Sequence, residues 1–153
     1  MEYLDSYTAV CLQTNIHVVD ETSGDPGHVE AQIRKNLARQ SQLIDWLYMD
    51  ERSGVPKLIA FSEFCLTGAP ESRQFDDYWR RAVSLPGWVT DEIGKKAVEH
   101  QCYIASNTYE RDDTFPGVVF NTSFIVGPDG AVILKYRKNN AAQGGGHEGD
   151  QPR

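Results

Sequence analysis

The sequence predicts an α/β fold, a mixed and mostly parallel sheet with helices packed on it. Three observations carry this reading. Tyr7 to Gln13 (Y-T-A-V-C-L-Q) and Lys57 to Phe61 (K-L-I-A-F) are short apolar runs without the strict alternation of a half-wet strand, so both read as buried strands. Between them, apolar residues recur at helical spacing from His28 to about Asp50. A strand, a helix and a second strand in that order make a parallel βαβ unit. Farther on, Gly127-Pro128-Asp129-Gly130 has Pro second and Gly fourth, as a type I turn prefers, and joins two apolar runs. Those two runs are expected to form an antiparallel hairpin on an otherwise parallel sheet.

The elements follow in order. After the first strand, Asn15 to Gly27 is loop, punctuated by Gly24, Asp25, Pro26 and Gly27. The first helix gathers Val29, Ile33, Leu37, Ile44, Leu47 and Tyr48 on one face, with Arg34, Lys35, Arg39 and Asp45 off it. Gly54-Val55-Pro56 ends that unit before the second strand. Gly68 to Asp77 is polar loop, and Trp79 to Val83 forms a short helical turn. Leu85-Pro86-Gly87 opens a second long helix, Trp88 to His100, with Val89, Ile93, Ala97 and Val98 inward. Gln101 to Tyr109, Val118 to Val126 and Ala131 to Tyr136 are the third, fourth and fifth strands. Asn139 to Arg153 holds four glycines and almost no apolar side chain, so it reads as a polar loop or tail.

Composition narrows the function. A length of 153 residues suits one domain and is short for two. The net charge of −7 argues against nucleic acid as a partner, because a phosphate backbone selects a basic surface. No apolar run approaches the roughly 20 residues that cross a bilayer, and no charged-then-apolar leader opens the chain. The three cysteines, Cys11, Cys65 and Cys102, form neither a disulfide framework nor a Cys-x-x-Cys pair. A reducing, cytoplasmic setting is therefore expected, without a metal or an organic cofactor. All three cysteines read as small buried hydrophobes. His17, His28 and His100 read as surface or helix-end residues, and Asn121-Thr122-Ser123, an apparent glycosylation acceptor, lies inside an apolar run.

Two charged residues stand where chemistry is expected. Glu63 follows the second strand directly, at the carboxyl end where open α/β sheets bind ligands. Lys138 closes Tyr136-Arg137-Lys138 at the same kind of position on the last strand. Arg137 is expected to order its loop through a carboxylate partner. Asn121 on the hairpin either satisfies backbone groups beside it or lines the site.

Read as an ordered set, these segments resemble the nitrilase superfamily of carbon–nitrogen hydrolases. The set runs A-V-C-L-Q, the amphipathic helix, L-I-A-F-S-E-F, L-P-G, Y-I-A-S-N-T-Y, N-T-S-F-I-V-G-P-D-G and L-K-Y-R-K. The resemblance implies a four-layer αββα sandwich, of which residues 1–153 supply about the first half of a single domain, incomplete at its C-terminal end. It implies a Glu–Lys–Cys triad acting on a small amide, N-carbamoyl compound or nitrile, with Glu63 as general base and Lys138 as the catalytic lysine. The nucleophilic cysteine would follow Lys138, where this chain has none. Glu148 falls where many members place a second active-site glutamate. Homo-oligomers of the complete domain are implied as well. Two alternatives stay open: an inactive nitrilase-like half that binds or assembles with a partner, and an α/β binding domain that shares only the fold.

Overall fold

A computed structural model describes residues 5–19, 25–50, 54–69 and 75–139. One sheet runs in the order β1-β2-β3-β4-β5. Its strands are β1 Thr8–Leu12, β2 Pro56–Phe61, β3 Tyr103–Arg111, β4 Val119–Val126 and β5 Val132–Arg137. Three helices accompany it: α1 Pro26–Met49, α2 Phe75–Arg81 and α3 Trp88–His100. The mixed α/β class is as the sequence predicts. Glu148 and the Gly-rich stretch around it lie outside the described residues.

The βαβ reading holds: β1 pairs parallel with β2, and β2 with β3. β4 runs antiparallel to both of its neighbours, so the hairpin is not the sheet's sole antiparallel pairing. The reason lies in the connection. Residues 112–118 between β3 and β4 are too few for a parallel crossover, which needs a dozen or more. The turn at Gly127–Gly130 closes as expected, with Gly130 N–H donating to Gly127 O at 2.9 Å. Gly130 takes φ +82°, a conformation that favours glycine.

Local chemistry explains the helix boundaries. Asp25 accepts from Gly27 N at 2.9 Å, and Pro26 occupies the first turn of α1. Thr90 closes the start of α3, accepting from Gly87 N at 2.9 Å and donating to Gly87 O at 2.7 Å. The short turn expected at Trp79 is a full helix that begins earlier, at Phe75. Its acidic start, Asp76 and Asp77, and basic end, Arg80 and Arg81, complement the helix dipole.

The core fills one side of the sheet. Val29, Ile33, Leu37 and Ile44 of α1 and Val89, Ile93 and Ala97 of α3 pack with Ile59, Ile104, Phe124 and Val126 of the strands. Val98, expected inward, is 46% exposed, because only the Val89–Ile93–Ala97 stripe of α3 meets the sheet. A smaller cluster of Tyr78, Ala82, Tyr109 and Val119 caps the end of β3.

Among the described residues, no helix covers most of the other face of the sheet. Strand alternation places Ala9, Cys11, Leu58, Ala60, Tyr103, Ala105, Ile125, Leu134 and Tyr136 there. None of them is fully buried. The chain thus presents an apolar sheet face whose far corner, where β2 and β5 end and β4 begins, holds the polar site.

Truncation of the central strand tests the core. Ile104 has no exposed surface, and Ile104→Ala is expected to cost about 2–5 kcal/mol in urea denaturation.

Candidate active site

Glu63 sits on a tight turn that the sequence folds by long-range clamps. Thr67 N and Gly68 N both donate to Phe64 O, at 3.2 and 2.8 Å. Phe64 itself has φ 58°, a left-handed conformation uncommon for a bulky residue. Two buried amides of α1 hold the turn: Asn36 donates to Leu66 O at 2.8 Å and Gln40 to Cys65 O at 3.1 Å. Arg81 of α2, 1% exposed, donates to Val19 O at 2.6 Å and reaches Thr67 O and Gly68 O at 3.5 Å. Sequence reading missed these supports. Their signal was visible, since Asn36 and Gln40 are polar residues spaced four apart beside the apolar stripe of α1.

Lys138 is aimed by the end of β5. Its backbone N–H donates to Asn121 O at 2.9 Å, continuing the β4–β5 ladder by one residue. Its ammonium donates to Glu63 Oε1 at 2.8 Å. Asn121 Nδ2 donates to the same oxygen at 2.7 Å. The structure therefore brings together the two charged residues expected from sequence, and resolves Asn121 in favour of lining the site. Asn107 was not singled out from sequence. It bridges the turn to the hairpin, accepting from Phe64 N at 2.8 Å and donating to Asn121 Oδ1 at 2.8 Å and Ser123 Oγ at 3.2 Å.

These groups border a cleft of about 320 Å³, with Phe61, Ala105, Ser106 and Tyr136 completing the lining. The Lys138 ammonium holds the Glu63 carboxyl below its ordinary range; partial burial opposes this, and the Asn121 hydrogen bond adds to it. The side chains remain 47% exposed for Glu63 and 32% for Lys138, so solvent screens the pair. Such an arrangement can take a proton at a carboxylate and meet a developing negative charge with an ammonium.

No cysteine lines the cleft. Cys65 is 1% exposed, with Sγ 3.2 Å from Ser106 Oγ, and burial pushes its thiol up from the ordinary value. Cys102 is buried too, as expected. Cys11 departs from the expectation: it is exposed, because it points from the edge strand β1 onto the open face.

Behind the site lies a second charged group of the opposite character. Glu110 has no exposed surface, yet it stays ionised. Burial pushes its carboxyl up, but the Arg137, Lys135 and Thr122 hydrogen bonds outweigh that and hold it below the usual range. Lys135 reaches Oε1 at 2.6 Å, Arg137 reaches Oε1 and Oε2 at 2.8 and 2.9 Å, and Thr122 donates to Oε2 at 2.7 Å. Arg137 also bonds Asp112, pulling that carboxyl down to about 2, and lies over the Phe120 ring at 4.0 Å. The expected carboxylate partner of Arg137 is thus Glu110, with Asp112 beside it. Elsewhere, Asp45, Glu99 and His100 gather three oxygen and nitrogen donors, but the Lys96 ammonium already lies 2.8 Å from Asp45 and 2.7 Å from Glu99.

A carboxylate, an ammonium and two oriented amides thus converge beside one cleft at the edge of the α/β sheet. The carbon-nitrogen hydrolase family pattern matches residues 27–150, and the chain belongs to that family. It is 29% identical over 82 residues to omega-amidase NIT2 of Homo sapiens, a match covering 54% of this chain and 28% of that protein. It is 32% identical over 120 residues to an aliphatic nitrilase of Sinorhizobium fredii, covering 74% of this chain and 38% of the relative. Among solved structures, N-terminal amidase with a Gln-Val peptide shares the fold with a TM-score of 0.70 at 22% identity, over 88% of this chain and 28% of that one. The chain thus spans well under half the length of these relatives. Among the described residues, no helix is long and apolar enough to cross a membrane.

Two measurements follow from the buried carboxylate. Glu110→Ala leaves Arg137 and Lys135 without their shared partner and is expected to cost about 3–5 kcal/mol by urea denaturation. The pH dependence has a definite sign. Glu110 is depressed below the ordinary value for a glutamate, so its contribution is present above the unfolded value and is lost as pH falls through the lower folded value. The urea midpoint of the native chain should drop as pH falls below the ordinary carboxylate value. Glu110→Gln should flatten that slope; an unchanged slope would show that other carboxylates carry the acid sensitivity.

Proposed function

We propose that this chain carries the Glu and Lys of a Glu–Lys–Cys site that hydrolyses a non-peptide carbon–nitrogen bond in a small amide, N-carbamoyl compound or nitrile. The observation that carries the reading is the 2.8 Å contact between Glu63 and Lys138, two residues 75 positions apart that meet beside an open cleft. Membership of the carbon-nitrogen hydrolase family supports it, as do relatives named amidase and nitrilase. In this reading Glu63 and Lys138 belong to one hydrolase domain whose cysteine lies on a further segment after Lys138. That segment would cover the open sheet face in an αββα sandwich. The coverage of 28% to 38% of the relatives' lengths and the apolar character of that face support the arrangement.

The chemistry follows from the groups. Glu63 accepts the thiol proton, and the thiolate attacks the carbonyl or nitrile carbon. The negative charge that develops on the substrate heteroatom draws the Lys138 ammonium toward it. As Lys138 turns, Glu63 loses its main stabiliser and its proton affinity rises, which favours holding the proton until the leaving nitrogen takes it. For an amide, the C–N bond breaks and leaves a thioester. Water, deprotonated by Glu63, then releases the acid and the free thiol. Glu148, ten residues after Lys138 in sequence, is the candidate second carboxylate. Assembly into homo-oligomers and a cytoplasmic setting complete the proposal.

A second reading is a non-catalytic half that binds or assembles with a partner, favoured by the absence of any thiol from the cleft lining. Ammonia release from an ω-amide, formamide and an aliphatic nitrile separates the two. The 153-residue chain alone is expected to release none. In a protein that joins it to the cysteine-bearing segment, Glu63→Gln should lower kcat by about 10²–10⁴ and Lys138→Met by about 10²–10³. Losses below tenfold in both variants would overturn the triad and leave the assembly reading.

A further inference from the structure

The hydrogen-bond chain behind Glu63 has a direction, and one backbone group sets it. Phe64 N can only donate, and it donates to Asn107 Oδ1 at 2.8 Å. The Asn107 amide must therefore present Nδ2 at its other end, where it donates to Asn121 Oδ1 at 2.8 Å and Ser123 Oγ at 3.2 Å. Asn121, with its oxygen so occupied, has only its Nδ2 to offer Glu63, and it donates to Oε1 at 2.7 Å. Reversing either amide would set donor against donor at Phe64, or oxygen against oxygen at Glu63. Both amides are buried, 4% exposed for Asn107 and 5% for Asn121, so water does not relieve such a clash. The chain closes on itself, since Phe64 follows Glu63 in sequence and its left-handed φ belongs to the turn that carries both.

We propose that Asn107 is a positioning residue, which orients the Asn121 amide so that Glu63 Oε1 stays occupied and Oε2 is the oxygen that accepts the proton of an incoming nucleophile. Lys138 also donates to Oε1, at 2.8 Å, so both donors fall on one oxygen and leave the other for chemistry. The assignment rests on the reading of Glu63 as general base. It adds which oxygen acts, and it adds a residue that acts on the base through Asn121. The groups facing Glu63 are the Lys138 ammonium after β5, the neutral Asn121 amide on β4 and the neutral residues Ser123 and Tyr136 that share the cleft. Among the described residues no other charged side chain lines it, so a change in Glu63 titration after a neutral substitution at Asn107 reports on the amide chain.

The test is the titration midpoint of Glu63, followed through its side-chain carboxyl carbon by NMR on the whole chain and assigned with Glu63→Gln. Asn121→Leu removes the donor outright and is expected to raise the midpoint by about one pH unit. Asn107→Leu should raise it by about half as much, because the freed Asn121 amide then samples both orientations. Acting through one another, the two substitutions should be non-additive, the double variant matching Asn121→Leu alone. In the native chain, the Asn121 side-chain amide resonance should move with the Glu63 midpoint and lose that step in Glu63→Gln. A full additive shift, or an unmoved midpoint in folded Asn107→Leu, would overturn the proposal. If that variant fails to fold, an Asn121 amide indifferent to Glu63 titration in the native chain would overturn it equally. Loss of the general-base role would instead appear as Glu63→Gln leaving turnover of the cysteine-complete protein intact, with these titrations unchanged.

Discussion

Full burial of the Glu110 carboxylate is the constraint on which the corner holding Glu63 and Lys138 depends. An unpaired ion in that position would cost several kcal/mol. The fold surrounds it with Lys135 and Arg137 from β5 and Thr122 from β4, while Glu110 itself belongs to β3. Three adjacent strands are thereby tied at one point, and their register at that end is held by charge as well as by the backbone ladder. Because neighbouring residues on a strand face opposite ways, holding Arg137 toward Glu110 turns Lys138 to the other side, toward Glu63. The Phe120 ring beneath the Arg137 guanidinium adds a flat apolar contact that a lysine could not use equally.

The two faces of the sheet divide the work. One is filled by α1 and α3 and supplies the stability, through a continuous apolar core. α1 also supplies polar clamps at its edge, where Asn36 and Gln40 donate to carbonyls of the turn after β2. The opposite face is apolar along β1, β2 and β5 and polar at the corner holding Glu63, Asn121 and Lys138. With the corner half open to solvent, the Glu63–Lys138 attraction is weakened by water. A covering layer would lower the local dielectric and strengthen both that attraction and the field on a bound substrate.

Several elements were legible in the chain because their causes are local. The helix Trp88–His100 follows from its apolar spacing and the Gly87–Thr90 start, and the β4–β5 turn from Pro128, Asp129 and Gly130. Glu63 and Lys138 were legible because a charged residue straight after an apolar strand must emerge at the strand's carboxyl end. Other features were not. The antiparallel entry of β4 depended on loop length, and the outward turn of Val98 on which stripe of α3 met the sheet. Cys11 looked like any buried cysteine until β1 proved to be an edge strand with an uncovered face.

By itself, then, the sequence determined the α/β class, the order of elements and two charged candidates, since apolar periodicity and turn chemistry act over a few residues. Only the tertiary structure decided that those two side chains meet, that Asn121 serves the carboxylate, and that Asn107 gives the amide chain its direction. Those contacts join residues from 14 to 75 positions apart. Hydrogen-bond direction at a buried amide is set by what stands on both sides of it, and sequence spacing carries no record of that.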